Sequence, residues 1–355
     1  MHVGIDGSRC GEVNATGVER YSQLVLPELI KELIDRGHRV TVYARENSKL
    51  FDGAHVRAVN LRYFWTQIFL GIMTQKDKVD HLFVPSHVLP FFRPRHCTVF
   101  VHDICWEDFS SAYSFLTRWY LRLTTEDAAQ NANILTHSKY TKERIGNIFN
   151  AKNIFSILPA AMPVENAVKK YTLPWKKPYL LYVGRIDKKK NISLLLRAFN
   201  NLLSRRPDLT HGLVLLGKDG YGWKDIMETN KGLNHKEKII FSGYVPDEVR
   251  DQAIREASGI VLPSICEGTS LVLLEARTAR VPFASSDCPP CIEAGGVKGI
   301  YVAADNISAW EKALEKLIDN PLTPDPSSSR SWADVAKEIA DVLTRSENKK
   351  RENIL

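Results

Sequence analysis

Several things are scarce in this 355-residue chain, and each absence narrows the reading. There is no G-x-G-x-x-G turn after the first strand-like run, which disfavours a nicotinamide cofactor. No apolar run reaches the roughly 18 to 20 residues needed to cross a bilayer. The first strand-like run, His2-Val3-Gly4-Ile5-Asp6, begins at once, so no signal peptide is expected. The six cysteines are scattered, and only Cys288-Pro-Pro-Cys291 has metal-like or redox-like spacing. A zinc site needs more ligands than one such pair supplies, so a structural role, a metal-free site and a reduced, cytoplasmic protein are the expectation. No nucleic-acid motif is present. The excess of 48 Lys and Arg over 41 Asp and Glu favours anionic partners without choosing among phosphates, acidic lipid and nucleic acid.

Hydrophobic residues make up 44% of the chain, enough core for two domains of about 150 residues each. Short β-rich runs alternate with longer helical patterns, the sign of parallel α/β sheets. The runs at residues 3–7 and His38–Tyr43 flank a helical pattern that stops at Gly37, a βαβ unit whose first loop, with Gly17, lies at the sheet's carboxyl edge. A proline-rich break from Pro159 to Pro178 reads as a linker, followed by a buried strand, Tyr179–Gly184. The implied division is a first domain over 1–165, a linker over 166–178 and a second domain over 179–330. A terminal helix over 331–346, amphipathic through Trp332, Val335, Ala336, Ile339 and Val342, and a flexible tail over 347–355 complete it.

Pro263-Ser264-Ile265-Cys266-Glu267-Gly268-Thr269-Ser270-Leu271 follows the apolar run 259–262 and opens a helical pattern through Leu274 and Glu275. Strand, turn and helix N-terminus in that order leave backbone N–H groups for an anion. An anion there and a hydroxylated group beside Glu275 suit an elongated ligand such as a sugar nucleotide. Arg185 after a buried strand and Lys190 before a helix put cationic groups on the second domain. The aromatic stretch Leu61–Met73 reads as a core-facing helix, with an interfacial membrane helix as the alternative.

The spacing Glu267-x7-Glu275, Gly184-Arg185…Lys190-Asn191 and His102-Asp103 together resemble the retaining glycosyltransferases of family 4, over nearly the whole chain. The resemblance implies a GT-B fold: two Rossmann-like doubly wound α/β domains facing a central cleft, the last helix crossing back to the first. It implies that Arg185, Lys190 and the amides of Thr269, Ser270 and Leu271 hold the donor diphosphate, with Gly17 approaching it. Glu275 would bind the ribose, Tyr244 and Val245 the base, while His102 and Glu267 orient the sugar. The donor is a nucleotide sugar used as co-substrate, with no further cofactor; GDP-mannose comes first and a UDP-sugar second. The acceptor is a growing polysaccharide or lipid-linked glycan, with possible peripheral membrane association and no nucleic acid. Thr269-Ser270 replaces the Phe-Gly common in relatives, which keeps open a non-catalytic sugar-nucleotide-binding scaffold. A nucleotide-sugar epimerase is the third alternative.

Overall fold

The computed structural model describes residues 1–10, 17–61, 64–162, 171–327 and 330–352, with side chains described as far as 345. The chain forms two compact units, one from Met1–Glu107, Tyr113–Ala160 and Arg330–Leu355, the other from Asp108–Ala112 and Ala161–Ser329.

In chain order the first unit contains β1 (His2–Asp6), α1 (Gly17–Asp35), β2 (Arg39–Ala44), β3 (His55–Ala58), α2 (Gly71–Lys76), β4 (His81–Val84) and β5 (His96–Phe100). There follow α3 (Cys105–Asp108), α4 (Phe115–Asn131), β6 (Asn133–Thr136), α5 (Lys139–Phe149) and β7 (Ile154–Ser156). The seven strands pair in the order β3-β2-β1-β4-β5-β6-β7, every pair parallel. Strands β1 and β4 are fully buried, as strands covered by helices on both faces must be. Ser138 caps α5 by accepting from the Thr141 amide.

The second unit contains β8 (Tyr179–Val183), α6 (Ile192–Arg205), β9 (Gly212–Leu216), α7 (Trp223–Lys231), β10 (Ile239–Gly243) and α8 (Asp247–Glu256). Next come β11 (Gly259–Leu262), α9 (Leu271–Thr278), β12 (Phe283–Ser286), α10 (Pro289–Gly295), β13 (Ile300–Val302) and α11 (Ile307–Asp319). Its six strands run parallel in the order β10-β9-β8-β11-β12-β13. Strand order reverses direction between β8 and β11, so the loops leaving those two strands diverge and open a crevice at the carboxyl edge.

The last helix, α12 (Trp332–Glu352), packs on α1: Val335, Ala336, Ile339 and Leu343 share one buried cluster with Val25, Leu29 and Leu33. The Trp332 ring meets the Tyr21 ring edge-on, centroids 5.6 Å apart. The helix continues to Glu352, where a break at 346 was expected, and residues 353–355 lie outside the description. Another departure concerns Leu61–Met73. It is a π-helical turn, Trp65–Leu70, running into α2; Trp65 and Leu70 face the core while Phe64, Ile68 and Ile72 face out. A π-helical turn shifts the angular register of the residues that follow it, so the 3.6-residue period that assigns one inward face does not hold here.

Candidate active site

The crevice loops of the second unit carry the residues singled out for the diphosphate. Strand β8 ends at Val183, and residues 184–190 then run beside the loop after β9. Gly184 N donates to Leu216 O at 2.9 Å, Ile186 N to Lys218 O at 2.9 Å, and Lys188 N to Tyr221 O at 2.8 Å. The approach depends on glycine. Gly217 has φ +149°, and a Cβ there would lie 1.9 Å from the Gly184 carbonyl oxygen. A Cβ on Gly220 would lie 2.6 Å from the Asp187 Cβ and 2.9 Å from the Arg185 Cγ. The Gly-rich loop is therefore the floor on which Arg185 stands, side chain exposed to solvent. No carboxylate pairs with Arg185 among the described residues.

Lys190 closes a short 3₁₀ turn, Lys188–Lys190, and α6 starts only after Asn191 in the left-handed region. Its ammonium pairs with the Glu267 carboxylate from the loop after β11, and Ser264 donates its hydroxyl to the same Glu267 oxygen at 2.7 Å. A backbone bond from Ile265 N to Lys189 O, 2.9 Å, ties the two loops together beside that pair. Burial raises the Asp187 carboxyl above its ordinary value, partly offset by Lys190 and Lys189. Lys190 and Glu267 are therefore brought together, although 77 residues apart in sequence.

Helix α9 begins at Leu271, and Ser270 is its N-cap: its hydroxyl accepts from Leu273 N at 3.2 Å. The Ser270 hydroxyl is thus spent on the helix, leaving its amide for a ligand. The Thr269 hydroxyl is buried without a hydrogen-bond partner. Glu275, on the same helix, is fully buried, and Arg250 of α8 reaches it at 3.4 Å while also holding Asp251 at 2.6 Å. Tyr244 is exposed at the end of β10, the Lys218 ammonium 5.6 Å from its ring centroid, and Val245 beside it is half-buried.

The first unit places the remaining candidates, and His102 lies there with its ring hydrogen-bonded within the unit. His102 was expected to turn its ring toward a donor sugar. Both its nitrogens are already committed: Nε2–H donates to the Pro85 carbonyl at 2.8 Å, which fixes the tautomer, and Nδ1 accepts from His137 Nε2–H at 2.9 Å. Burial drives its pKa down to about 3, and His137 falls well below its ordinary value for the same reason. The ring is a neutral brace for the loops after β4 and β6, a role that a histidine at a strand end does not reveal until its partners are known. Gly17 opens α1, and a Cβ there would meet nothing within 4 Å; Ala15 and Thr16 of the same turn lie outside the described residues.

Sequence reasoning missed Arg250 and His137, which lie far along the chain from the residues they hold, and Lys218 in the loop after β9. Cys288 and Cys291 are free, and no group of three or more His, Cys, Asp or Glu is placed to hold a metal among the described residues.

Two Rossmann-like units, the second with cations and a capped helix start at its switch point, make up the chain. Residues 163–339 match the family of glycosyl transferases group 1, and the chain belongs to that family. It is 28% identical over 277 residues to O-antigen chain mannosyltransferase B of Escherichia coli, covering 74% of this chain and 69% of that relative. To the D-inositol 3-phosphate glycosyltransferase of Corynebacterium kroppenstedtii it is 23% identical over 236 residues, covering 62% of this chain but 52% of the relative. The chain thus spans about half to two thirds of these curated relatives. In fold it is similar to WaaG, a glycosyltransferase involved in lipopolysaccharide biosynthesis, with a TM-score of 0.68, 15% identity and 98% of each chain covered.

Proposed function

We propose that this glycosyltransferase moves a sugar from a nucleotide sugar to a hydroxyl of a growing polysaccharide or lipid-linked glycan with its anomeric configuration retained. The observation that carries the reading is the meeting of Lys190 and Glu267, with Arg185 exposed in the same loop as Lys190, at the switch point of the second sheet. Arg185, Lys190 and the amides of Thr269, Ser270 and Leu271 hold the diphosphate. Negative charge grows on that group as the C1–oxygen bond breaks, so fixed cations stabilise the transition state more than the ground state. Glu267, steadied by Ser264 and Lys190, orients the sugar; Glu275 takes the ribose; the backbone of Tyr244 and Val245 takes the base. The acceptor oxygen bonds C1 on the face the phosphate leaves, and its proton passes to the departing phosphate oxygen, so no protein base is required. GDP-mannose is the first donor to try, in keeping with the mannosyltransferase relative, and UDP-sugars the second.

The test is a thermal-shift and calorimetric screen of GDP-, UDP-, ADP- and dTDP-sugars, followed by product analysis with glycan acceptors. A donor at about a hundred times its Kd stabilises the native state by about 2.7 kcal/mol through mass action. One nucleotide is expected to stabilise the wild type but not Lys190→Met, and to yield a product with unchanged anomeric configuration. Binding with no transfer to any acceptor favours the scaffold reading. A changed sugar still on its nucleotide favours the epimerase.

A further inference from the structure

Cys288 and Cys291 stand at the two ends of one closed turn. The Cys291 amide donates to the Cys288 carbonyl at 2.9 Å, and the Ile292 amide to the same oxygen at 3.1 Å. Such a turn brings its end Cα atoms within about 7 Å, and a disulfide spans about 4.4 to 6.8 Å between Cα atoms. Pro289 and Pro290 fill the middle of the turn, and their rings fix φ, so little backbone freedom is left to lose when the sulfurs join. The two sulfurs also share a neighbour: the Ser286 hydroxyl lies 3.6 Å from Cys288 Sγ and 4.0 Å from Cys291 Sγ.

The two thiols differ in the way an exchanging pair requires. Of the four free cysteines among the described residues, Cys288 alone is not buried. Burial pushes the Cys10 and Cys97 thiols up to about 12, so neither is a thiolate at neutral pH. The Cys291 thiol, hydrogen-bonded to Cys288, instead holds Cys288 below its ordinary value and is itself raised well above. An accessible sulfur with thiolate character and a buried partner beside it have the features of an attacking and a resolving thiol. Hydrogen bonds join the pair to the loop after β11. Ser286 donates its hydroxyl to the Ser264 carbonyl at 2.6 Å, and the Ser264 hydroxyl in turn holds Glu267.

We propose that Cys288 and Cys291 are a redox-active dithiol that exchanges with low-molecular-weight disulfides, and that its state is felt at the loop carrying Glu267. In the first step Cys288 gives its proton to water and its thiolate attacks glutathione disulfide. A Cys288–glutathione S–S bond forms, the S–S bond of the reagent breaks, and one glutathione thiolate leaves and is protonated. In the second step the Cys291 sulfur, losing its proton, attacks Cys288 Sγ and releases the second glutathione as a thiol. The two cysteines are oxidised by two electrons, and one glutathione disulfide is reduced to two thiols. The product has no S–H group left beside the Ser286 hydroxyl, which is the link to Ser264 and Glu267. Neither step uses a nucleotide, so the dithiol chemistry stands apart from the donor chemistry above.

The test is equilibration of the full chain with oxidised and reduced glutathione, followed by acid quenching, alkylation of free thiols and peptide mapping by mass spectrometry. A Cys288–Cys291 bond is expected, reversed by excess reduced glutathione. Two thiols are released for each disulfide consumed, so diluting total glutathione about tenfold at a fixed ratio of its forms should raise the disulfide-to-dithiol ratio about tenfold. A mixed disulfide alone would show no such shift. Cys291→Ala should hold at least about tenfold more glutathione on Cys288 than the wild type does, and Cys288→Ser should hold none at Cys291. In hydrogen exchange, the amides of residues 264–270 should differ between the oxidised and reduced wild type, and not in Cys288→Ser under the same two conditions. The dilution arm uses the wild type alone, so it stands even if a variant fails to fold. Thiols that stay reduced in excess glutathione disulfide, a bond mapped elsewhere, a yield unmoved by dilution, or loop amides indifferent to the redox state would each overturn the inference.

Discussion

Lowering the pH from 6.5 to 5.5 tests three of the buried histidines of the first unit. His81 and His102 are held neutral down to about pH 3, chiefly by burial, and His137 is lowered well below its ordinary value for the same cause. An unfolded imidazole titrates near 6.5. Over this interval it passes from about half to about nine-tenths protonated, whereas the folded ring takes up almost no proton. The unfolded state therefore binds more protons, and stability falls as the pH falls. Each histidine removes about 1 kcal/mol over the interval, about 3 kcal/mol for the three. Above pH 7 the effect vanishes, because folded and unfolded rings are then both neutral. Hydrogen exchange of the β5 and β6 amides reads this unit separately from the second. The expected result is an opening free energy that drops by that amount at β5 and β6 and much less at β8 and β9. An unchanged value at β5 and β6 would refute the neutral, hydrogen-bonded assignment. The same assignment removes His102 from the pH–rate profile: kcat/KM should show no inflection traceable to it, so His102→Gln should leave the profile's shape intact even where it lowers its height.

Three further outcomes follow from contacts in the two units. Gly217→Ala forces a Cβ toward the Gly184 carbonyl at a φ that L-residues avoid, and should cost about 3 kcal/mol or more in urea unfolding, with weakened donor binding in calorimetry. Arg250→Met removes the guanidinium that reaches the buried Glu275 carboxylate and should cost about 3 to 5 kcal/mol, much of it recovered in the Arg250→Met, Glu275→Gln double variant. Recovery that is absent would show that the arginine acts through Asp251 instead. Trp332→Ala removes the edge contact with Tyr21 and should lower the stability of the first unit by about 2 kcal/mol, seen as faster exchange in α1.

Much of the second unit was legible because its strands are buried on both faces and read as plain apolar runs: Tyr179–Val183, Leu213–Leu216 and Ile260–Leu262 are each bounded by glycine or proline. The loops that matter follow those runs directly, so Arg185, Lys190 and Glu267 could be placed by counting. Strands β3, β7 and β13 escaped notice, being three or four residues long and lacking any sustained apolar pattern. Helix α4 escaped because an outward apolar stripe and an inward one have the same period. Pairings such as Arg250 with Glu275 or His137 with His102 join residues 25 and 35 positions apart, and only the folded backbone decides them. The Thr269-Ser270 departure kept a non-catalytic scaffold open, and in the fold the serine hydroxyl is turned to the helix it caps.

The packing of α12 on α1 has a consequence for how the chain is made. The groove on α1 that receives Val335, Ile339 and Leu343 is synthesised within the first 35 residues, and its cover is added after the whole second unit. At about 5 to 20 residues per second, that leaves the groove uncovered on the ribosome for roughly 15 to 60 seconds. The first unit to begin is thus the last to be completed. We expect nascent chains stalled at Ser329 to hold a protease-resistant second unit beside a first unit still open to cleavage at α1 and to chaperone binding; equal protection of both would show that the first unit closes without its last helix.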